Sequence, residues 1–340
     1  MSTLSPARIM EVGMAFWPAK VLLSAVELGV FTALGAGSMT GRELQDALGL
    51  HARANPDFFD TLLALRFLDR DGDGPEGRYR NTPETALFLD RNSPQFIGGF
   101  LEMANARLYR YWGQLSEALR TGSPQNEIKS TGASMFAELY SKPERLEQFM
   151  DAMSGISAGN FQSFADKFDF SRYQTLCDVG GATGQLSMFV ARKHPHLRCT
   201  SADLPQATEI ATRKIAAAGL ADRVAARPLD FFAEPLPKAD VITMGLILHD
   251  WNLDRKMHLI RAAYEALPKG GAFVVIENLI DDARRDNAFG LMMSLNMLIE
   301  FGDAFDFSAA DFAGWCREVG FSRTEVIPLG GPASAGVAYK

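Results

Sequence analysis

Cysteine is scarce in this chain. Only Cys177, Cys199 and Cys316 occur in 340 residues, scattered and odd in number. That argues against a disulfide framework and for buried thiols in a reducing, cytoplasmic compartment. No Cys/His cluster has metal-ligand spacing, so no metal is expected. Basic residues are in deficit, 34 Lys and Arg against 41 Asp and Glu, for a net charge of −7. A chain of that balance is a poor partner for nucleic acid, whose phosphates demand a basic face. No apolar run reads as long enough to cross a bilayer. The N-terminus, Met-Ser-Thr-Leu-Ser-Pro-Ala-Arg, lacks the basic region and apolar core of a signal peptide, so no membrane partner is expected. What remains, 47% apolar and 22% charged residues, is the composition of an ordinary globular protein, and its length exceeds one typical core. Two domains are expected.

The rhythm of the sequence changes near residue 165. Residues 1–165 read as mainly helical. Apolar residues recur at helical spacing over Arg8–Leu34 (Ile9, Val12, Phe16, Val21, Leu22, Val26, Leu28), with Pro18 expected to kink the helix. Short helices are predicted over Thr40–Leu48, with Thr40 and Glu43 placed for a capping box, and over Asn55–Leu68. A glycine-rich polar turn within a hairpin follows, 69–81. Helix, helix, hairpin is a winged-helix order. The second helix is apolar and acidic with a lone Arg66, a poor surface for DNA, and the wealth of Phe, Leu and Met suggests burial against a second chain. Further helices are predicted over Phe96–Thr121, Ala133–Leu139 and Pro143–Phe168. From 166 to 340, strands (175–179, 198–202, 224–229, 240–247, 272–276) alternate with helices (185–193, 206–218, 254–267, 308–319). That pattern implies a parallel sheet covered on both faces. Two final extended runs, 323–327 and 335–339, read as a closing antiparallel hairpin.

The chemistry gathers where ligands bind in such sheets, beyond the carboxyl ends of the strands. The first strand leads from Asp178 into Gly180, Gly181 and Gly184. Dinucleotide spacing would need glycines where Ala182 and Gln185 stand. With a leading carboxylate and no basic residue, the turn suits a nucleoside that lacks phosphate and carries a cationic amino group, as S-adenosylmethionine does. Asp203, followed by Leu204, ends the second strand, where an acid can accept ribose hydroxyls. Asp230 and Phe231 follow the third, placed for an adenine amino group and base face; Met244 lies in the fourth. His249, just past the fourth strand, is the histidine placed to act as general base near neutral pH. Glu277 ends the fifth strand and Asp306 lies in the polar stretch Gly-Asp-Ala-Phe-Asp-Phe-Ser. Either could hold the imidazole in one tautomer.

Together these residues resemble the class I S-adenosylmethionine-dependent small-molecule methyltransferases of the caffeate and acetylserotonin O-methyltransferase type. Asp178–Gly184, Asp203-Leu-Pro, Asp230-Phe231, Leu248-His249-Asp250-Trp251 and the run Ala266–Glu277 are similar to that family's motifs. The resemblance implies an α/β fold. A Rossmann-like domain (166–340) carries a mostly parallel seven-stranded sheet with an antiparallel C-terminal hairpin. A winged-helix-like dimerisation domain (1–165) precedes it. It implies S-adenosyl-L-methionine as cofactor, S-adenosyl-L-homocysteine as product, and a homodimer in which the helix Arg8–Trp17 lines the partner's pocket. It also implies Glu277 and Asp306 as acids supporting His249, although the family's second acid is usually a glutamate in a Gly-x-x-Glu-Arg-Thr run. Acceptor-pocket candidates are Phe16, Trp17, Met103, Arg107, Tyr111, Phe136, Tyr140, Met153, Asn296, Met297 and Phe301, with Arg107 and Arg110 placed to pair a carboxylate. The leading expectation is O-methylation with His249 as base. The alternatives are S-methylation of a thiol or thioether carboxylate such as methylthiohydroxybutyrate, or a non-catalytic S-adenosylmethionine-sensing regulator.

Overall fold

The computed structural model describes residues 4–131, 139–140 and 143–340. The chain forms two compact units, Met1–Arg110 and Tyr111–Lys340.

The first unit is helical with a small sheet. Helices Ala7–Gly13 and Phe16–Glu27 are separated at Met14–Ala15, so the break precedes Pro18, which sits in the first turn of the second helix where its missing N–H costs nothing. By length and composition the helical stretch Ala7–Glu27 is apolar enough to cross a membrane. This corrects the reading that no apolar run has that length. Apolar side chains of its first half are exposed within the single chain, including Ile9, Met10, Val12, Phe16 and Trp17, while Leu23, Ala25 and Val26 are buried. The capping box at Thr40 and Glu43 forms as expected and starts helix Gly41–Ala47. Helix Asp57–Ala64 follows. Strands β1 (Met39–Thr40), β2 (Leu68–Asp71) and β3 (Arg78–Asn81) pair in the order β1-β3-β2, all antiparallel. Phe31, Leu44, Phe59, Leu62 and Leu68 fill the core beneath them.

The second unit holds a seven-stranded sheet of β4 (Thr175–Val179), β5 (Arg198–Asp203), β6 (Val224–Pro228), β7 (Val241–Gly245), β8 (Ala272–Glu277), β9 (Arg323–Gly330) and β10 (Ala333–Tyr339). Their spatial order is β6-β5-β4-β7-β8-β10-β9. The first five are parallel, while β10 runs antiparallel to both β8 and β9. Every residue of β8 is buried, as a central strand covered on both faces requires. The order reverses at β4, between β5 and β7, and the expected site residues lie at these strand ends.

Three differences from the sequence reading stand out. The boundary between units falls at 110/111 rather than 165/166, because helix Pro143–Lys167 buries Phe164 and Ala165 in the core of the sheet unit. Helix Ala288–Phe301 was not anticipated. It is apolar on nearly all sides, so it shows no clean helical stripe. The expected helix over Phe96–Thr121 is broken into pieces, with a π-helical turn at Ala104–Leu108. The expected helix Ala133–Leu139 lies almost wholly outside the described residues.

Candidate active site

The glycine turn after β4 is tightly built. Gly180 adopts φ +71°, and a Cβ there would come within 2.3 Å of the Ile247 side chain. A Cβ on Gly181 would meet Ser201 Oγ at 2.3 Å. Only glycine satisfies both constraints, which lets the backbone line the crevice. Asp178 is buried under the turn and accepts a 2.7 Å hydrogen bond from the Thr243 hydroxyl. Burial pushes its carboxyl up to about 7. It therefore braces the turn from beneath. At the end of β5, Asp203 accepts hydrogen bonds from the backbone N–H groups of Ala182 (2.9 Å) and Leu204 (2.7 Å), and from the Tyr140 hydroxyl at 3.3 Å. Burial raises its pKa while these donors oppose the rise. The turn is closed from the side by helix Pro143–Lys167, whose Ser154 hydroxyl lies 2.7 Å from that of Thr183. Asp230 is exposed after β6, its side chain capping Phe232 N, and the Phe231 ring packs against Phe232 and Trp251. Met244 is wholly buried in the sheet core.

Past β7, Leu246 takes φ +55°, a left-handed conformation that is strained for leucine, and turns the chain off the sheet into a single 3₁₀ turn, Leu248–Asp250. That turn presents His249, which is 6% exposed. Glu277 Oε1, at the end of β8, accepts from the N–H groups of Leu248 (3.0 Å) and His249 (3.4 Å), so this acid fixes the backbone that carries the imidazole. Its Oε2 faces His249 Nδ1 at 3.9 Å, and Asp306 Oδ1 lies nearer, at 3.4 Å. On the other side of the ring, Asp250 Oδ1 is 3.3 Å from Nε2. Helix Ala309–Val319 is capped by Ser308 in a box with Asp311, which leaves the Asp306 carboxylate uncommitted to any cap. Ser294 Oγ, from helix Ala288–Phe301, accepts the Asp306 N–H and anchors that residue.

This cluster is short of hydrogen bonds. His249 Nδ1, Glu277 Oε2 and both oxygens of Asp306 are buried without a hydrogen-bond partner among the described residues. One ligand-type atom from each of the three residues lies within 4.8 Å of the others, the kind of set that holds metal ions. A proton on Nδ1 meets the same electrostatic demand. Burial alone would depress the imidazole, but Glu277, Asp250 and Asp306 together outweigh it and raise its pKa to about 10. Burial also pushes Asp250 up to about 6 and Glu277 to about 7, against the pull of His249. The ring thus sits between carboxylates on both edges, with Nδ1 facing Asp306 and Glu277 and Nε2 facing Asp250.

The acceptor candidates divide between the units. Phe16 and Trp17 form an exposed edge-to-face pair in the first, where Met103 and Arg107 are half-buried. In the second, helix Ala288–Phe301 packs against the His249 turn and carries Asn296, buried Met297 and Phe301; Asn296 Oδ1 accepts from Trp112 Nε1 at 2.9 Å. Tyr111 and Met153 are half-buried. Tyr140 sits on Asp203, so it belongs beside the glycine turn. Phe136 lies outside the described residues. Sequence reasoning passed over Asp250, although it adjoins His249, because a residue next in sequence rarely shares a face with its neighbour. It also passed over Lys256, which reads as one more charge on an amphipathic helix.

The comparisons agree with this fold. Residues 112–322 match the O-methyltransferase domain, and residues 10–91 match the O-methyltransferase dimerisation domain. The chain is 37% identical over 335 residues to the tetracenomycin polyketide synthesis 8-O-methyl transferase TcmO of Streptomyces glaucescens, covering 98% of this chain and 97% of that protein. It is 31% identical to the 3-hydroxy-5-methyl-1-naphthoate 3-O-methyltransferase of Streptomyces sahachiroi, covering 98% and 94%. The crystal structure of human N-acetylserotonin methyltransferase in complex with S-adenosylmethionine superposes with a TM-score of 0.90 at 27% identity, covering 100% of this chain and 99% of that one.

Proposed function

Because the chain belongs to the O-methyltransferase family and is an S-adenosylmethionine-dependent methyltransferase of small molecules, we propose that His249 is its general base and that its acceptor is a hydroxyl on a fused aromatic ring. The observation that carries this reading is the placement of His249: buried at the end of β7, with Nδ1 3.4 Å from Asp306 and its backbone held by Glu277. The acceptor class rests on the two bacterial relatives, whose names describe hydroxyls of a tetracenomycin and a naphthoate. The methionine-rich helix Ala288–Phe301 beside the base supplies adaptable apolar surface for such a ring.

When bound, the cofactor supplies an electrophilic methyl group on a sulfonium. The residues fit it: a turn in which side chains at 180 and 181 have no room, and at Asp203 a buried acid whose oxygens keep spare lone pairs. Asp203 and Leu204 would hold the ribose end, and Asp230 with Phe231 the adenine end. Gly180, Gly181 and Gly184 let the backbone approach, and Asp178 and Met244 support the turn and strand from beneath. His249 Nε2 takes the hydroxyl proton as the O–H bond breaks; the freed oxygen electron pair would form the new O–C bond as the bond from the methyl carbon to sulfur breaks, leaving the neutral thioether. Asp306 and Glu277 keep the other ring proton on Nδ1 and stabilise the imidazolium. Asp250, 3.3 Å from Nε2, adds to the stabilisation of the imidazolium. Much of the rate comes from holding hydroxyl and methyl donor in line in a crevice that excludes water.

The relatives named above transfer to oxygen, which favours this reading over thioether methylation. The test is product mass and connectivity from incubations with naphthols, phenols, thiols, thioether carboxylates and amines. Methylation of thioethers alone, or of phenols at an undiminished rate by His249→Ala, would overturn it. The second chain of a homodimer would cover Ile9, Met10, Val12, Phe16 and Trp17, with Arg8–Trp17 lining the partner's pocket. Sedimentation checks this: Trp17→Glu should move the protein toward monomer and weaken acceptor turnover more than cofactor binding.

A further inference from the structure

Lys256 is a buried cation in the His249 neighbourhood with no part in the proton transfer. It lies in the first turn of helix Leu253–Ala266 and is completely buried. A buried ammonium is costly unless its surroundings compensate it. Its Nζ donates to the Trp251 carbonyl and stands 3.7 Å from the centroid of the Phe305 ring and 5.8 Å from that of Phe307. These two rings flank Asp306 in sequence. Among the described residues no carboxylate oxygen lies within 4.0 Å of it, yet Glu277, Asp306, Asp250 and Asp303 all act on its charge. Four residues earlier in the chain, Asn252 Nδ2 donates to Asp303 Oδ2 at 2.8 Å. The start of one helix therefore grips the 303–307 segment at two points, and the acid nearest His249 Nδ1 hangs between the two gripped rings.

We propose that Lys256 is a positioning residue that clamps the Phe305–Phe307 segment so that Asp306 reaches His249 Nδ1, while its ammonium offsets the carboxylates crowded around the imidazole. The proposal rests on His249 being the base. It explains how an aspartate, one methylene shorter than glutamate, still comes to 3.4 Å of the ring: the segment that carries it is drawn in. It also explains how three buried acids share one small volume. The groups facing the imidazole and its acids are Asp250 on its own turn, Glu277 from β8, Asp306 from the loop, and Glu300 from helix Ala288–Phe301, while Asp303 acts on Lys256. Tyr140 faces Asp250. Lys256 is the cation among them.

The sign of its effect follows. Without the ammonium the imidazolium is better stabilised, so His249 titrates at higher pH and its neutral, proton-accepting form is scarcer at neutral pH. Three variants separate charge from clamp. Lys256→Met keeps length and loses charge, Lys256→Arg keeps charge, and Phe305→Leu loosens the clamp with the charge intact. The chain has five histidines, so labelled imidazole resonances can be followed by NMR without turnover. Lys256→Met should raise the His249 titration and the acidic limb of kcat/KM by roughly one unit, with cofactor affinity unchanged. Lys256→Arg should restore both. Phe305→Leu should lower kcat about 10- to 100-fold, as a misplaced group does, with the ring titration little moved. If Lys256→Met does not fold, an undiminished kcat in Phe305→Leu overturns the proposal. A folded Lys256→Met whose ring titration and pH limb match those of the parent also overturns it. A shifted ring titration in Lys256→Met, with full activity in a separate His249→Ala variant, would instead sink the general-base assignment and leave the clamp standing.

Discussion

Asp203 and Asp306 are both buried carboxylates, 7% and 3% exposed, in opposite circumstances. Asp203 receives two backbone N–H groups and a tyrosine hydroxyl. The oxygens of Asp306 receive no hydrogen bond among the described residues. The side proposed for the cofactor is thus set chiefly by backbone amides, which do not titrate and need no partner to arrive. The side proposed for the acceptor is set by charges that balance one another: an imidazole, an ammonium and three acids. The first arrangement depends less on pH, the buried acids Asp178 and Asp203 being its titrating groups. The second makes the readiness of the base a function of pH and of every charge near it.

That contrast can be broken at its strongest point first. His249→Asn should lower kcat about 10³-fold, the usual worth of a positioned base, while calorimetry with S-adenosylhomocysteine finds parental affinity; a joint loss of both would erase the distinction between the two sides. Next in size, Asp306→Asn should lower kcat about 100-fold, less than the loss of the acid in a Ser-His-Asp triad because Glu277 remains. Removing a negative charge favours the neutral ring, so the acidic limb of kcat/KM should move to lower pH, opposite to the shift expected from Lys256→Met. Gly180→Ala attacks the other side. At φ +71°, with Ile247 in the way, it should cost about 1–3 kcal/mol in cofactor affinity or stability, read by calorimetry and thermal denaturation, with kcat at saturating cofactor little changed.

The smallest effect is on stability. Despite burial, the surrounding acids hold the folded imidazole near 10 against its ordinary 6.5, and burial holds the Glu277 carboxyl near 7 against 4.5. In both, the folded chain binds its proton more tightly than the unfolded chain. The stabilisation from His249 is therefore fully present below pH 6.5 and is lost as pH rises through about 10. The Glu277 group adds a penalty that grows between pH 4.5 and 7. Tm should fall by a few degrees between pH 6 and 10, and the fall above pH 7 should flatten in His249→Asn.

Legibility followed the range of the forces. Strands β4 to β8, the capping box at Thr40 and the closing hairpin were readable because alternation, caps and turns are written in adjacent residues. His249, Glu277 and Asp203 were readable because a parallel sheet puts strand ends at one edge. Helix Ala288–Phe301 was not, because a helix apolar on most sides carries no polar stripe. The unit boundary was misplaced because helix Pro143–Lys167 resembles the helices before it and differs only in what it packs against. Lys256 was invisible, since nothing in the residues around it says that its helix turns that face inward.

The sequence by itself determined the layered fold, the glycine turn that only glycine can make, and the strand ends on which ribose acid, base and first supporting acid would stand. All of these follow from local dihedral preference and periodic burial. The tertiary structure alone decided that Asp306 comes closer to the imidazole than Glu277, that Asp250 guards its far edge, and that a buried ammonium lies behind them. Those distances depend on how a helix start and a distant loop pack together, and electrostatic coupling depends on separation in space and on burial, neither of which is written in the order of residues.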